Sequence, residues 1–204
     1  MIDLPLILLA AFVAGASPGP ATLAIAGTSM ASGRRAGLVL ASGITLGSLT
    51  WSVAAALGLG AVMLTQVWLF EAIRLIGGGY LLLLAAKSAR AALSRARPQT
   101  RALSGSSRRL FARGLALHLT NPKAVLFFGA LYAIGVPPDA SASALLTIIL
   151  AVGLQSALTF HGYALLFSTP SMTRLYLRLR RPFEALFALG FGAAGLRVLT
   201  ARLP

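Results

Sequence analysis

Two short proline-containing motifs have the residue types and spacing to perform chemistry, and each lies inside a long apolar stretch. One is Pro18-Gly19-Pro20, and the other is Asn121-Pro122-Lys123. Proline has no amide hydrogen and clashes with the preceding helical turn, so each motif predicts an interrupted helix. An interruption at the first motif frees the carbonyl groups of residues 15–17, which need hydrogen-bond partners in an apolar environment. A simple proline kink is the alternative interpretation.

The ionisable side chains within apolar stretches include Lys123, His161 and Arg197, and Arg197 lies close enough to the end of its stretch to extend to a membrane surface. Ionisable groups are costly in such surroundings and are functional hypotheses by default. Lys123 lies near the end of its stretch, so its ammonium group could instead extend to a membrane surface. His161 can exchange a proton near neutral pH, but a histidine that only holds two helices together is the simpler interpretation.

Hydroxyl side chains recur about one turn apart in the second apolar stretch and therefore share one helical face. Ser48 is the candidate binding group on this face, and a polar seam between helices is the alternative interpretation. Gly43 and Gly47 lie beside it and predict a close approach of another helix. The four hydroxyl residues are Ser42, Thr45, Ser48 and Ser52.

The sequence has none of the patterns expected of a metalloenzyme or a hydrolase. It contains no cysteine, no spacing typical of metal ligands, no phosphate-binding loop and no nucleophile with a base nearby. We therefore expect no metal, no cofactor and no enzymatic activity. A six-helix membrane enzyme and a passive channel remain as alternative functions.

The composition indicates an integral membrane protein. Of 204 residues, 57% are apolar and only 11% are charged, whereas a soluble domain carries about a quarter charged residues. The net charge of +14 comes from cations confined to short segments between the apolar stretches. That distribution follows the positive-inside rule and argues against nucleic-acid binding.

Six apolar stretches are long enough to cross a bilayer as helices, and none shows the alternation of a strand. Basic segments alternate with segments nearly free of cations, which places the basic segments in the cytoplasm and both termini outside. The stretches are approximately residues 4–30, 37–64, 67–87, 114–135, 142–168 and 183–201.

The chain also contains an internal repeat. Phe70-Glu71-Ala72 and two following glycines recur, at the same spacing, as Phe183-Glu184-Ala185 and two glycines. We predict a first repeat over residues 1–93, a basic cytoplasmic linker over 94–113 and a second repeat over 114–204. Three helices is an odd number, so the second repeat must be inverted in the membrane. Secondary transporters often have this plan, with their sites at interrupted helices.

Five segments carry a more specific pattern: Ser17-Pro18-Gly19-Pro20, Ser32-Gly33-Arg34-Arg35-Ala36-Gly37, Gly43 and Gly47 with Trp51, Gly79-Tyr80-Leu81 with Leu84, and Thr120-Asn121-Pro122-Lys123-Ala124. This pattern resembles the LysE/RhtB family of amino-acid exporters over essentially the whole chain. The resemblance implies six helices in the bacterial inner membrane and secondary-active efflux of amino acids. It also implies a functional role for both proline motifs.

The chain departs from this family at Ser48, where many members have an acidic residue. The departure favours a neutral amino acid, such as threonine, homoserine or leucine, over a cationic one. The expected partners are the amino acid, the lipid bilayer, a coupling proton or other ion, and a second copy of the chain. The predicted substrate-binding residues are Pro18, Gly19, Pro20, Ser48, Asn121, Pro122, Lys123 and His161.

Overall fold

The computed structural model describes residues 4–65, 67–94, 100–136 and 140–200, which form seven α-helices and contain no strand. The predicted all-α fold is therefore confirmed over these ranges. Asp139 and both chain ends lie outside them. The helices are α1 (Leu4–Ala16), α2 (Pro20–Thr65), α3 (Val67–Leu93), α4 (Ser107–Leu119), α5 (Pro122–Gly135), α6 (Ala142–Phe167) and α7 (Pro170–Thr200).

Three of the helices are long and apolar enough to cross a membrane. They are α6, α7 and the part of α2 from Pro20 to Gly58, and α1 and residues Pro122–Tyr132 form shorter apolar helices. Large apolar side chains point outward on them, for example Leu158 and Leu189, which are 68% and 73% exposed. An apolar exterior of this kind suits a lipid environment. The membrane assignment is confirmed, while the six-span inverted repeat remains a prediction.

Both proline motifs interrupt the helices, as predicted. α1 ends at Ala16 and α2 begins at Pro20, with residues 17–19 outside helical conformation. α4 ends at Leu119 and α5 begins at Pro122. The first and fourth predicted stretches therefore each consist of two consecutive helices, and the motifs are breaks rather than simple kinks.

A further change of direction occurs within α2. Gly33 has φ 81° and ψ 175°, a conformation that side chains disfavour and glycine adopts at little cost. This single residue joins the first predicted span to the second. The intervening segment is therefore much shorter than the loop expected between residues 30 and 37.

Two basic segments predicted as linker or loop are partly helical. α4 begins at Ser107 and α7 at Pro170, earlier than the predicted starts at 114 and 183. The Ser106 side chain caps α4 by accepting from the amide of Arg109, and arginine is a good helix former. In its described part, the predicted linker 94–113 is therefore irregular only up to residue 106. Its residues 95–99 lie outside the described ranges.

Helix packing brings the two breaks towards each other. α2 packs against both α4 and α6, while α3 packs mainly against α7. Gly43 lies against the backbone of Phe111, and a Cβ at Gly47 would lie 2.9 Å from that of His118. The close approach predicted from these two glycines is therefore confirmed, and the neighbouring helix is α4.

Candidate functional site

Side chains replace the backbone donors that are missing at the first break. Pro18 and Pro20 cannot donate to the carbonyl groups four residues earlier, at Ala14 and Ala16. Instead, the Ser17 hydroxyl donates to the Ala14 carbonyl at 3.1 Å, and the Tyr163 hydroxyl donates to the Ala16 carbonyl at 2.5 Å. The expectation that the freed carbonyls need partners is confirmed for Ala16, and the partner comes from α6.

The second break has the structure of a capped helix start. The Asn121 side chain accepts from the amide of Lys123 at 3.1 Å, and Pro122 occupies the first turn of α5. Proline fits there because the first amides of a helix have no acceptor within it. Asn121 is buried, and the arrangement places Lys123 in the first turn of α5.

Lys123 connects the two breaks. Its ammonium group donates to the Ser17 carbonyl at 3.0 Å and also contacts the Ser17 hydroxyl. The C-terminal end of α1 carries partial negative charge, so a cation is stabilised there. The ring of Phe191 lies on another side of the ammonium group, with its centroid 5.8 Å away.

A small cavity of about 50 Å³ lies between the breaks and the hydroxyl face of α2. Its apolar wall includes Phe127, Phe128, Val152 and Phe160. No carboxylate lines it within the described ranges, so Lys123 is its charged group. The polar side chains that line it are those of Ser17, Thr22, Ser48, His118, Asn121, Lys123 and Ser156.

Four of the predicted binding residues line this central cavity: Gly19, Ser48, Asn121 and Lys123. A Cβ on Gly19 would lie 3.3 Å from the Lys123 side chain, so the glycine leaves room for that lysine. The other three residues of the motifs, Pro18, Pro20 and Pro122, form the breaks without lining the cavity.

His161 lies outside the cavity lining and joins α6 to α2. Its Nε2 is 3.0 Å from the Ser42 hydroxyl, and its Nδ1 is 2.8 Å from the carbonyl of Ala157. Ser48 similarly bonds Ser156 of α6 at 2.8 Å. The hydroxyl face of α2 is therefore a polar seam, and at Ser48 the seam also borders the cavity.

His118 also lines the cavity, although it is not among the residues predicted from the sequence. It is only 5% exposed, and neither ring nitrogen has a hydrogen-bond partner within the described ranges. Its ring meets that of Phe160 edge-on at a centroid distance of 5.6 Å. In the sequence, His118 lies three residues before Asn121. This position beside the second proline motif is the feature that could have identified it.

A second cavity of about 230 Å³ lies beside the central one, and Thr22 lines both. Tyr163, Phe167 and Tyr176 form an aromatic cluster in its wall. Residue Thr100, next to the basic segment, also lines it. Tyr163 lines this second cavity, which we call the vestibule, and its hydroxyl bonds the Ala16 carbonyl between two residues that line the central cavity, Gly15 and Ser17.

Comparison with known proteins identifies the family. A family model described as LysE type translocator matches residues 12–202. The chain belongs to the LysE type translocator family. This confirms the predicted resemblance, and it places the protein among transporters rather than enzymes.

Its relatives include named efflux proteins. The chain is 31% identical over 196 residues to the threonine efflux protein of Salmonella typhi, covering 93% of this chain and 94% of that one. It is 29% identical over 193 residues to the threonine efflux protein of Escherichia coli K12, with the same coverage. It is 31% identical over 179 residues to the leucine efflux protein of Enterobacter sp. strain 638, covering 88% and 83%. No solved structure matches the chain.

Proposed function

We propose that this LysE type translocator exports neutral amino acids, such as threonine, homoserine or leucine, from the bacterial cytoplasm by secondary-active transport. The observation that carries the proposal is the hydrogen bond of Lys123 to Ser17, which joins the two breaks beside a cavity that both polar and apolar side chains line. Family membership and relatives named for threonine and leucine efflux support it.

The two breaks offer complementary partners for a zwitterion. The ammonium group of Lys123, at the N-terminal end of α5, suits a substrate carboxylate. The carbonyl groups at the C-terminal end of α1 suit a substrate ammonium group. In the structure these groups bind each other. A substrate carboxylate would draw Lys123 away from the Ser17 carbonyl and free that carbonyl for the substrate ammonium.

The lining of the cavity favours a neutral substrate. No carboxylate lines it within the described ranges, and the buried carboxylate of Glu184 interacts with Lys123 from outside the lining. A cationic side chain would therefore meet the like charge of Lys123 in the lining itself, where an unpaired charge is costly. Ser48, the position that departs from the acidic residue of many family members, is bonded to Ser156. The rest of the wall is largely apolar.

The size of the cavity supports a carrier rather than an open channel. A volume of about 50 Å³ holds a few water molecules, because one occupies about 10–15 Å³ by this measure. Pockets for small ligands are typically about 300–1,000 Å³. We therefore interpret the structure as a conformation in which the cavity is too small for an amino acid and must expand to admit one. Such a state fits alternating access, powered by a proton or another ion.

The proposed function predicts export of neutral amino acids from living cells. Cells supplied with dipeptides accumulate the released amino acids, so the protein should lower the internal pool and raise the amount in the medium. We expect this effect with dipeptides of threonine and leucine, measured by metabolite analysis of cells and medium with and without the protein. Dipeptides of lysine serve as the control and should give no protein-dependent export. Protein-dependent export of lysine alone, or of no amino acid, would contradict the proposal.

A further inference from the structure

The imidazole of His118 differs from the other polar groups that line the central cavity, because its nitrogen atoms have no hydrogen-bond partner within the described ranges. Buried polar groups nearly always have a hydrogen-bond partner, and each exception needs an explanation. Of the polar side chains that line this cavity, His118 is the one with buried polar atoms that have no partner within the described ranges. Ser48 and Ser156 bond each other, and Lys123 bonds Ser17.

The surroundings of His118 define one wall of the cavity. The residue packs against Gly47 of α2 and against the ring of Phe160 of α6. Gly47 precedes Ser48, and Phe160 follows Ser156 by about one helical turn. His118 therefore lies at the level of the Ser48–Ser156 pair, where α2, α4 and α6 meet. The groups suited to a zwitterion, Lys123 and the carbonyls of α1, belong to the two breaks instead.

We propose that His118 is a specificity-determining residue that recognises a hydroxyl group on the substrate side chain. This inference rests on the proposed function and divides the site into two parts. The breaks hold the charged groups common to all amino acids, and the wall at His118 receives the side chain that distinguishes them.

The chemistry of the imidazole supports a hydroxyl as the missing partner. A neutral imidazole has one donor nitrogen and one acceptor nitrogen, and a hydroxyl both donates and accepts. An aliphatic side chain in the same place would leave the imidazole without a partner and would also exclude water from it. Sites built to bond a substrate hydroxyl discriminate against the analogue that lacks it for this reason, so leucine should be a weaker substrate of the protein than threonine or homoserine.

Threonine and valine provide the test, because they have nearly the same shape and differ by a hydroxyl in place of a methyl group. Purified protein in lipid vesicles is loaded with unlabelled threonine, and the exchange of external labelled threonine is competed with threonine or valine. For the parent we expect valine to compete about tenfold less effectively than threonine, or worse. A His118→Leu variant should lose most of this difference, because threonine weakens and valine improves.

Two further variants separate recognition from folding. His118→Gln keeps a donor and an acceptor and should retain the preference for threonine in part. His161→Leu removes the other histidine of the chain, which lies outside the cavity lining, and should affect both amino acids by the same factor. Parent protein that treats threonine and valine alike, or an active His118→Leu variant with the parental ratio, would overturn the inference. Absence of exchange with every amino acid would instead refute the proposed function.

If His118→Leu does not yield a monodisperse protein, His118→Gln decides the question alone. A Gln variant that shifts the ratio of threonine to valine by severalfold supports recognition by the side chain at this position. A Gln variant with the parental ratio, whatever its amount of folded protein, shows that His118 does not recognise the substrate side chain and overturns the inference.

Discussion

Lys123 is the residue that connects the two breaks of the proposed site. The chain has two lysines, and only this one lies within the cavity lining. It forms charge-assisted contacts with the free end of α1, and such bonds are roughly twice as strong as neutral ones. Replacement of the Ser17 carbonyl by a substrate carboxylate would therefore exchange one favourable contact for another. We expect that exchange to release the two breaks from each other.

Replacement of Lys123 by methionine should weaken substrate binding without preventing membrane insertion. Methionine keeps the apolar stem and loses the ammonium group, and a hydrogen bond to a charged group contributes about 1.5–3 kcal/mol. We expect the apparent affinity for threonine to fall by about 10- to 100-fold in the vesicle exchange assay. Lys87→Met is the matched control, because Lys87 is exposed on α3. Equal affinities in the two variants would show that the substrate carboxylate binds elsewhere.

Some site residues could be identified from the sequence and others could not, for a physical reason. Gly19, Asn121 and Lys123 belong to motifs whose backbone chemistry alone forces a break. The two histidines both lie in apolar surroundings, and only packing distinguishes them. His161 meets Ser42 across the α2–α6 interface, whereas His118 meets a glycine and a phenylalanine. The partner of a buried side chain depends on which helix lies opposite, and residue spacing does not encode that.

At the scale of elements, a residue from α6 supplies a hydrogen-bond donor that the first break lacks. Pro20 cannot donate to the Ala16 carbonyl, and the Tyr163 hydroxyl takes its place. Tyr163 also belongs to an aromatic cluster with Phe167 and Tyr176 that borders the larger vestibule. This position makes Tyr163 suited to act as a gate between the vestibule and the central cavity.

Removal of the Tyr163 hydroxyl should open the central cavity towards the vestibule. The Tyr163→Phe variant keeps the ring but leaves the Ala16 carbonyl without this donor, which loosens the break. The chain has no cysteine, so Ser156→Cys provides a single reporter within the cavity lining. We expect a thiol reagent added from the side of the basic segments, the predicted cytoplasmic side, to label this reporter several times faster in the Tyr163→Phe background.

Tyr132→Phe is the matched control for this experiment. It removes a buried hydroxyl that bonds Ser52 of α2 at 2.6 Å and does not contact the first break. Labelling of the reporter should proceed at about the parental rate in this background. Equal acceleration by both variants would indicate general loosening of the helices, and no acceleration by Tyr163→Phe would exclude Tyr163 as the gate.

The boundaries of the elements were predicted less well than their breaks. The breaks follow from the missing amides of proline, which is a local property. The starts of α4 and α7 depend instead on whether arginine-rich residues continue a helix beyond the apolar stretch, and hydropathy carries no information on that point. In the structure, Arg180 and Arg181 of α7 donate to the last turn of α3, at the carbonyls of Ala91 and Ala92. Contacts of this kind support the helical extension.

At the scale of the whole molecule, two of the main helix pairings join corresponding positions of the two predicted repeats, and the inversion itself stays a prediction. α2 packs against α6 and α3 against α7, and each pair joins helices at corresponding positions in the two predicted repeats. The basic segments also meet: Arg180 reaches the end of α3, and the amide of Leu103 bonds Thr28, close to the Gly33 turn. Basic segments gathered at one end are what the predicted cytoplasmic side requires. We expect a rocking motion of one predicted repeat against the other to expose the central cavity to either side of the membrane.

Uphill transport by the purified protein is the most direct test of secondary-active efflux. Vesicles with an acidic lumen, and in a second set a sodium-rich lumen, are supplied with labelled threonine outside. We predict that one of these outward ion gradients drives threonine to a higher concentration inside than outside, and that collapse of the gradient releases it. Threonine that only equilibrates under both gradients would indicate a passive channel and would contradict the central claim of secondary-active efflux.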